Sequence, residues 1–178
     1  MLKRVFLPSA RQFGCLFAAF FLVLCSPQLA FAFFGGESEH ASSRQLLAEK
    51  NKLEGTAFLA KNKQKEGVIT TSSGLQYSIE KSADGPKPKS DEKVTVHYDG
   101  TFLDGRSFDS SRKRGKPATF PLNAVIPGWT EGLQLMSVGS RYTFYIPSDL
   151  AYGVQGAGRG LIPPHATLIF DVELLSIK

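Results

Sequence analysis

The sequence predicts an α+β fold, an antiparallel sheet wrapped over one short helix and preceded by a single N-terminal helix. Three observations carry that prediction. Four segments alternate apolar and polar residues with period two, Leu75 to Ile79, Val94 to Tyr98, Tyr142 to Ile146 and Leu168 to Leu174, as strands with one buried face do. Turn signals stand between them at Asp84-Gly85-Pro86, Asp99-Gly100, Asp104-Gly105 and Val138-Gly139. Within this strand-rich part only one short helix fits, from about Pro127 to Met136, with Pro127 at the first helical position, where its missing N–H is harmless.

Taken in order, residues 1–32 form the first unit. They hold Lys3, Arg4 and Arg11, no acidic residue, and an apolar run from Phe13 to Cys25 that is short for a membrane span. With Pro27 breaking the run and Ala30-Phe31-Ala32 as a small-x-small site, this reads as a secretory signal peptide cleaved after Ala32, leaving no membrane anchor. Leu24 before Cys25 argues against a lipoprotein signal. Cleavage removes both cysteines, Cys15 and Cys25, so the mature chain has no disulfide and no thiol nucleophile. It also removes three basic residues and lowers the formal charge from +5 to +2, which weakens any case for a nucleic-acid partner. The remainder suits one compact domain with a short appendage.

Residues 33–71 are a helical segment and linker. From Ser38 to Lys65 the chain is rich in Ala, Leu, Glu, Lys and Gln and free of proline, and Leu46, Leu53, Ala57 and Ala60 recur near helical spacing. Gly55 costs the helix about 1 kcal/mol relative to alanine. So polar a helix is marginal alone, and its apolar stripe is expected to dock on the domain or to pair with a second copy.

Residues 72–178 carry the motifs. Val96-His97-Tyr98-Asp99-Gly100, Phe108-Asp109-Ser110-Ser111-Arg112, Gly128-Trp129, Ala151-Tyr152-Gly153 and Ile162-Pro163-Pro164-His165-Ala166-Thr167-Leu168 occur in that order, before Phe170-Asp171-Val172-Glu173-Leu174-Leu175. Together they resemble the FKBP-type peptidyl-prolyl cis/trans isomerases. Upstream, Asn51-Lys52-Leu53-Glu54-Gly55, Phe58-Leu59-Ala60, Lys65-Glu66-Gly67-Val68-Ile69 and Ser73-Gly74-Leu75-Gln76-Tyr77 are similar to the family's bacterial envelope branch, the Mip and FkpA-like proteins. The resemblance implies an FKBP-like fold, a role in the folding of exported proteins in the periplasm or cell envelope, and proline-containing segments as partners. It also implies inhibition by macrolides of the tacrolimus and rapamycin kind, and a homodimer through the N-terminal helix.

Rotation about an Xaa-Pro bond faces a barrier of about 18–20 kcal/mol because planarity preserves amide resonance. Its catalysis calls for neither nucleophile nor cofactor. It calls for a water-poor pocket shaped to the proline ring, with donors on the flanking carbonyls, that holds the twisted amide better than either planar form. The resemblance assigns Tyr98, Phe108, Val125, Ile126, Trp129 and Phe170 to the apolar pocket, Trp129 as its floor. Tyr152 is the phenol donor to a substrate carbonyl, the Ile126 N–H a second donor, and Asp109 a carboxylate acting electrostatically. Leu161 and Ile162 are placed at the rim, and Arg114 is expected to pair with Asp109.

Two departures from the family pattern stand out. Ala118 replaces an aromatic residue, lowering one wall and weakening macrolide affinity, and the glycine-rich loop from Gly153 to Gly160 is expected to affect substrate choice more than chemistry.

Other chemistries fit poorly. The loop glycines miss the dinucleotide and Walker spacings, and Pro163-Pro164 stands where a helix should begin. His40, His97 and His165 are dispersed, so no metal site is expected. Arg112-Lys113-Arg114 with Lys116 reads as a solvated face, and no serine-hydrolase elbow occurs. A proline-segment binding module with little turnover is the competing function; Tyr152, Asp109 and Trp129 together favour the enzyme.

Overall fold

The computed structural model describes residues 35–178, so the signal-peptide reading of residues 1–32 lies outside the described residues. Helix α1 (Gly35–Asn62) precedes the strands β1 (Val68–Thr70), β2 (Gln76–Lys81), β3 (Lys93–Thr101), β4 (Ser107–Ser110) and β5 (Ala118–Pro121). Helix α2 (Pro127–Leu135) and strands β6 (Arg141–Ile146) and β7 (Leu168–Ile177) complete the chain. All pairings are antiparallel, in the order β1-β2-β6-β7-β3-β4, with β5 also on β3.

Period-two alternation sets the core. Val94, Val96 and Tyr98 of β3, Tyr142, Phe144 and Ile146 of β6, and Leu168, Phe170, Val172 and Leu174 of β7 are buried on one face. Helix α2 crosses that face with Trp129, Leu133 and the following Met136 buried. It lies so close that a Cβ on Gly132 would come within 2.7 Å of the Phe144 ring. Ile126 is its N-cap and Pro127 its first residue, as the sequence predicts.

The Asp99-Gly100 turn is a misreading. Both residues lie inside β3, opposite Asp171 and Phe170. Gly100 is there for space, since a Cβ would stand 2.7 Å from the Phe108 ring and 2.9 Å from the Phe170 ring.

Helix α1 docks by a different face from the predicted one. Leu46 and Leu53, 70% and 61% exposed, and Ala57 and Ala60 turn to solvent. The docked side joins one aromatic contact, Phe58 on Tyr145 with ring centroids 5.9 Å apart, to polar and small residues. The Asn51 amide donates to the Pro164 carbonyl at 2.8 Å, buried Asn62 donates to Gln76 Oε1 at 3.0 Å, and Gln76 donates to the Leu59 carbonyl at 3.0 Å. Gly55, which a helix by itself disfavours, is buried where a Cβ would reach within 2.3 Å of Thr167 Oγ1. Among the described residues no helix is long and apolar enough to cross a membrane, and no cluster of His, Cys, Asp and Glu could hold a metal.

Candidate active site

One end of the buried face opens into a cavity of about 390 Å³ lined by Tyr98, Phe108, Asp109, Phe120, Ala124, Val125, Ile126, Trp129, Tyr152 and Phe170. Trp129 forms its base. Its ring meets those of Tyr98, Phe170 and Phe120 edge to face, with centroids 5.2, 5.2 and 5.6 Å apart. Phe108 closes a further side, 5.5 Å from Phe170 at 88°. Such edge-to-face contacts fix ring orientation as well as burying area. The Trp129 indole N–H is buried and finds no acceptor among the described residues.

A bulge brings two successive residues into one wall. Side chains of neighbouring strand residues normally point to opposite faces. In the β3–β4 pairing, however, Gly100 faces Asp109 while Thr101 faces Ser107, leaving Phe108 as the extra residue. Phe108 and Asp109 therefore both line the cavity.

Asp109 does not stand alone at the mouth. Tyr98 donates its phenol proton to Asp109 Oδ2 and Arg114 donates to Oδ1, while Arg114 also donates to the Tyr98 oxygen at 2.9 Å. The guanidinium lies over the Tyr98 ring, 5.6 Å from its centroid. Partial burial by itself would raise the Asp109 carboxyl. Hydrogen bonds from Tyr98 and Arg114, with the Arg114 charge, outweigh burial and hold it below the usual carboxylate range. Burial first, then the bond to Asp109, keeps the Tyr98 phenol protonated beyond its ordinary value despite Arg114.

Opposite, Tyr152 projects from the loop after a short 3-10 turn (Ser148–Leu150). Its phenol, raised by burial and then by the Asp109 charge, remains a donor at neutral pH. Neither the phenol nor the Ile126 backbone N–H has a hydrogen-bond partner among the described residues. Tyr152 and Ile126 line the same cavity as the Asp109 carboxylate.

Eight of the ten sequence-predicted site residues meet here; Leu161 and Ile162 do not line the cavity. Ile162 is buried, 6% exposed, because backbone bonds in both directions to Ala157 (2.9 and 3.0 Å) fold it beneath the loop, whereas Leu161 is exposed. Phe120 and Ala124 are lining residues that sequence reasoning missed. Phe120 was within reach of it: two residues after Ala118 in β5, it shares that residue's side of the strand and supplies an aromatic wall. Arg112 is no solvated residue either. It lies 3.1 Å from Asp171, 3.4 Å from Asp99 and 3.6 Å from Glu173 on the opposite face of the sheet.

Comparison with known proteins places this fold in a family. The family model for FKBP-type peptidyl-prolyl cis-trans isomerase matches residues 85–175, and that for the domain amino terminal to it matches residues 27–79. The chain belongs to the FKBP-type peptidyl-prolyl cis-trans isomerase family. It is 60% identical over 131 residues to the FKBP-type peptidyl-prolyl cis-trans isomerase FkpA of Aeromonas hydrophila, covering 74% of this chain and 48% of that protein. Against the outer membrane protein MIP of Legionella longbeachae it is 53% identical over 131 residues, covering 74% and 56%. The crystal structure of FkpA from Escherichia coli superposes with a TM-score of 0.76 at 42% identity, covering 80% of this chain and 66% of that one. The chain thus spans about half the length of these curated relatives.

Proposed function

We propose that this protein is a peptidyl-prolyl cis/trans isomerase acting on Xaa-Pro bonds of unfolded, exported proteins. One observation supports the reading: a cavity walled by the rings of Tyr98, Phe108, Phe120, Trp129 and Phe170 is also lined by Tyr152, Ile126 and the Asp109 carboxylate. The proline ring seats on Trp129 between Tyr98, Phe108, Phe120 and Phe170, where water is excluded. Tyr152 and Ile126 hold the carbonyls that flank the rotating bond. As the amide twists it loses resonance, and its separated nitrogen and carbonyl dipoles respond to the fixed field of Asp109 and the donors without solvent reorganisation. No bond is made or broken, and Asp109 stays ionised throughout. Uncatalysed isomerisation takes about 10–100 s at 25 °C, slow enough to limit folding.

The chain divides, in this reading, into a leader (residues 1–32), a helical segment (33–71) and the isomerase domain (72–178). The basic and apolar leader, and the outer-membrane description of the Legionella relative, support work in the periplasm or cell envelope after cleavage. The solvent-facing Leu46, Leu53, Ala57 and Ala60 support pairing of two copies through α1, with a dimeric mass by light scattering at micromolar concentration as the check. Macrolides of the tacrolimus kind would occupy the same cavity, Phe120 standing where Ala118 gives no wall.

The deciding experiment measures cis/trans exchange of an Ala-Leu-Pro-Phe peptide by NMR, with the chain from Phe33 onward. Acceleration supports the enzyme. Binding without acceleration would make this a proline-segment binding module.

A further inference from the structure

The loop between residues 148 and 167 carries Tyr152 and folds on itself through backbone bonds, among them the Gly156 N–H to the Tyr152 carbonyl at 3.1 Å and the Ala157–Ile162 pair at 2.9 and 3.0 Å. Gly153, Gly156, Gly158 and Gly160 all have positive φ, so the segment is built from residues with wide backbone freedom. Between this loop and α1 lies a groove of about 430 Å³, bordered by Leu47, Ile162 and Pro164 among others. The helix therefore meets the loop at a few points, not along a packed seam.

Those points form a short path to the active site. Asn51 Nδ2 donates to the Pro164 carbonyl at 2.8 Å in a part-buried setting. The next residue, His165, has a φ of 54° and donates its N–H to the Gly153 carbonyl at 2.9 Å. Gly153 follows Tyr152 directly and donates to the Ser148 carbonyl at 2.8 Å. A second point, one helical turn beyond Asn51, sets Gly55 against Thr167 with no room for a side chain. A weaker third point joins Arg44 to the Gln155 carbonyl at 3.3 Å.

We infer that α1 is a positioning element for catalysis: through Asn51 on Pro164 and Gly55 against Thr167 it sets the loop that presents the Tyr152 phenol to the substrate. The catalytic consequence rests on the isomerase reading above; the mechanical link does not. Asn51 touches no substrate and acts only through the loop. Its amide holds a carbonyl whose neighbour is bonded to the residue next to Tyr152, so its loss removes one tie between α1 and an internally bonded loop, which can then shift as a unit. Small displacements of a substrate-positioning group are costly to rate.

The full mature chain, labelled with 3-fluorotyrosine at its five tyrosines, tests this. Tyr152→Phe assigns the Tyr152 fluorine signal. In Asn51→Ala, and independently in Gly55→Ala, that signal is expected to move or broaden while the signal of Tyr98, held by Asp109 and Arg114, stays in place. kcat/KM should fall by about twofold in both, and by no more than in Tyr152→Phe, whose lost phenol sets the ceiling. Lys61→Gln, exposed on α1 and outside the Leu46, Leu53, Ala57 and Ala60 stripe, should change neither. A Tyr152 signal at the wild-type position in both anchor variants overturns the inference, whatever happens to thermal stability. A wild-type protein without turnover removes the isomerase reading, and the fluorine signal then decides the positioning by itself.

Discussion

β3, β4 and β7 build two arrangements of aspartate and arginine a single residue apart, one on each face of the sheet. On the outer face Asp99 and Asp171 stand directly opposite each other in the β3–β7 pairing, where like charges repel. Arg112 lies between them and reaches Glu173 as well, while Arg141 holds Asp171 at 2.9 Å. On the inner face Asp109 has Arg114 and the Tyr98 phenol. The chemical partners are nearly the same. What separates them is shape: the outer cluster lies on the sheet with carboxylates and guanidinia answering one another, and the inner one stands at the rim of an apolar cavity. The bulge at Phe108 makes that difference, because it turns a carboxylate toward a space that a proline ring can fill.

The largest effects should come from the inner face. Asp109→Leu is expected to lower kcat/KM about 100-fold with the fold intact, measured by peptide exchange beside a circular dichroism melt. Trp129→Ala should lower turnover comparably and also destabilise by about 3 kcal/mol, because it empties the cavity floor. The outer face should answer oppositely. Arg112→Met leaves Arg141, on Asp171, as the one guanidinium among the carboxylates of Asp99, Asp171 and Glu173 and is expected to cost about 2 kcal/mol in urea unfolding, with kcat/KM within about twofold of wild type. A large loss of turnover at constant stability in that variant would erase the distinction between the two faces.

A pH titration sharpens the comparison. Asp109 has a folded pKa below its unfolded value near 3.9, so its contribution to stability is fully present above that value and is lost as pH falls through the lower folded one. The acid limb of kcat/KM should therefore lie below the ordinary carboxylate range. Arg114→Met should move it upward, since burial then acts against fewer opposing contacts; an unmoved limb would mean that Asp109 is not the titrating group. Tyr152→Phe is the smallest expected change, about two- to fivefold in kcat/KM, because one donor of a shared pair is removed.

Much of the inner face was legible in the sequence because its residues fall in ordered strings: Tyr98, Phe108, Asp109, Trp129, Tyr152 and Phe170 all reach the cavity. What escaped had physical causes. Phe120 sits in a four-residue strand, too short for alternation to announce itself. Gly100 looks like a turn residue by composition, yet it is a strand residue making room for two rings, and only the far partners Phe108 and Phe170 reveal why. Helix α1 misled for a related reason. Periodicity finds leucines, whereas this helix docks through amides, a glycine and the lone ring of Phe58, and sequence patterns assign the amides and the glycine to helix surfaces and breaks.

Trp129 has one more consequence. It is the sole tryptophan in the chain and forms the base of the cavity, with its indole nitrogen buried and without an acceptor. The molecule therefore carries its own optical gauge: emission excited at the indole band comes from the floor of the cavity alone, and any peptide or inhibitor that settles there changes the surroundings of the one fluorophore that reports it.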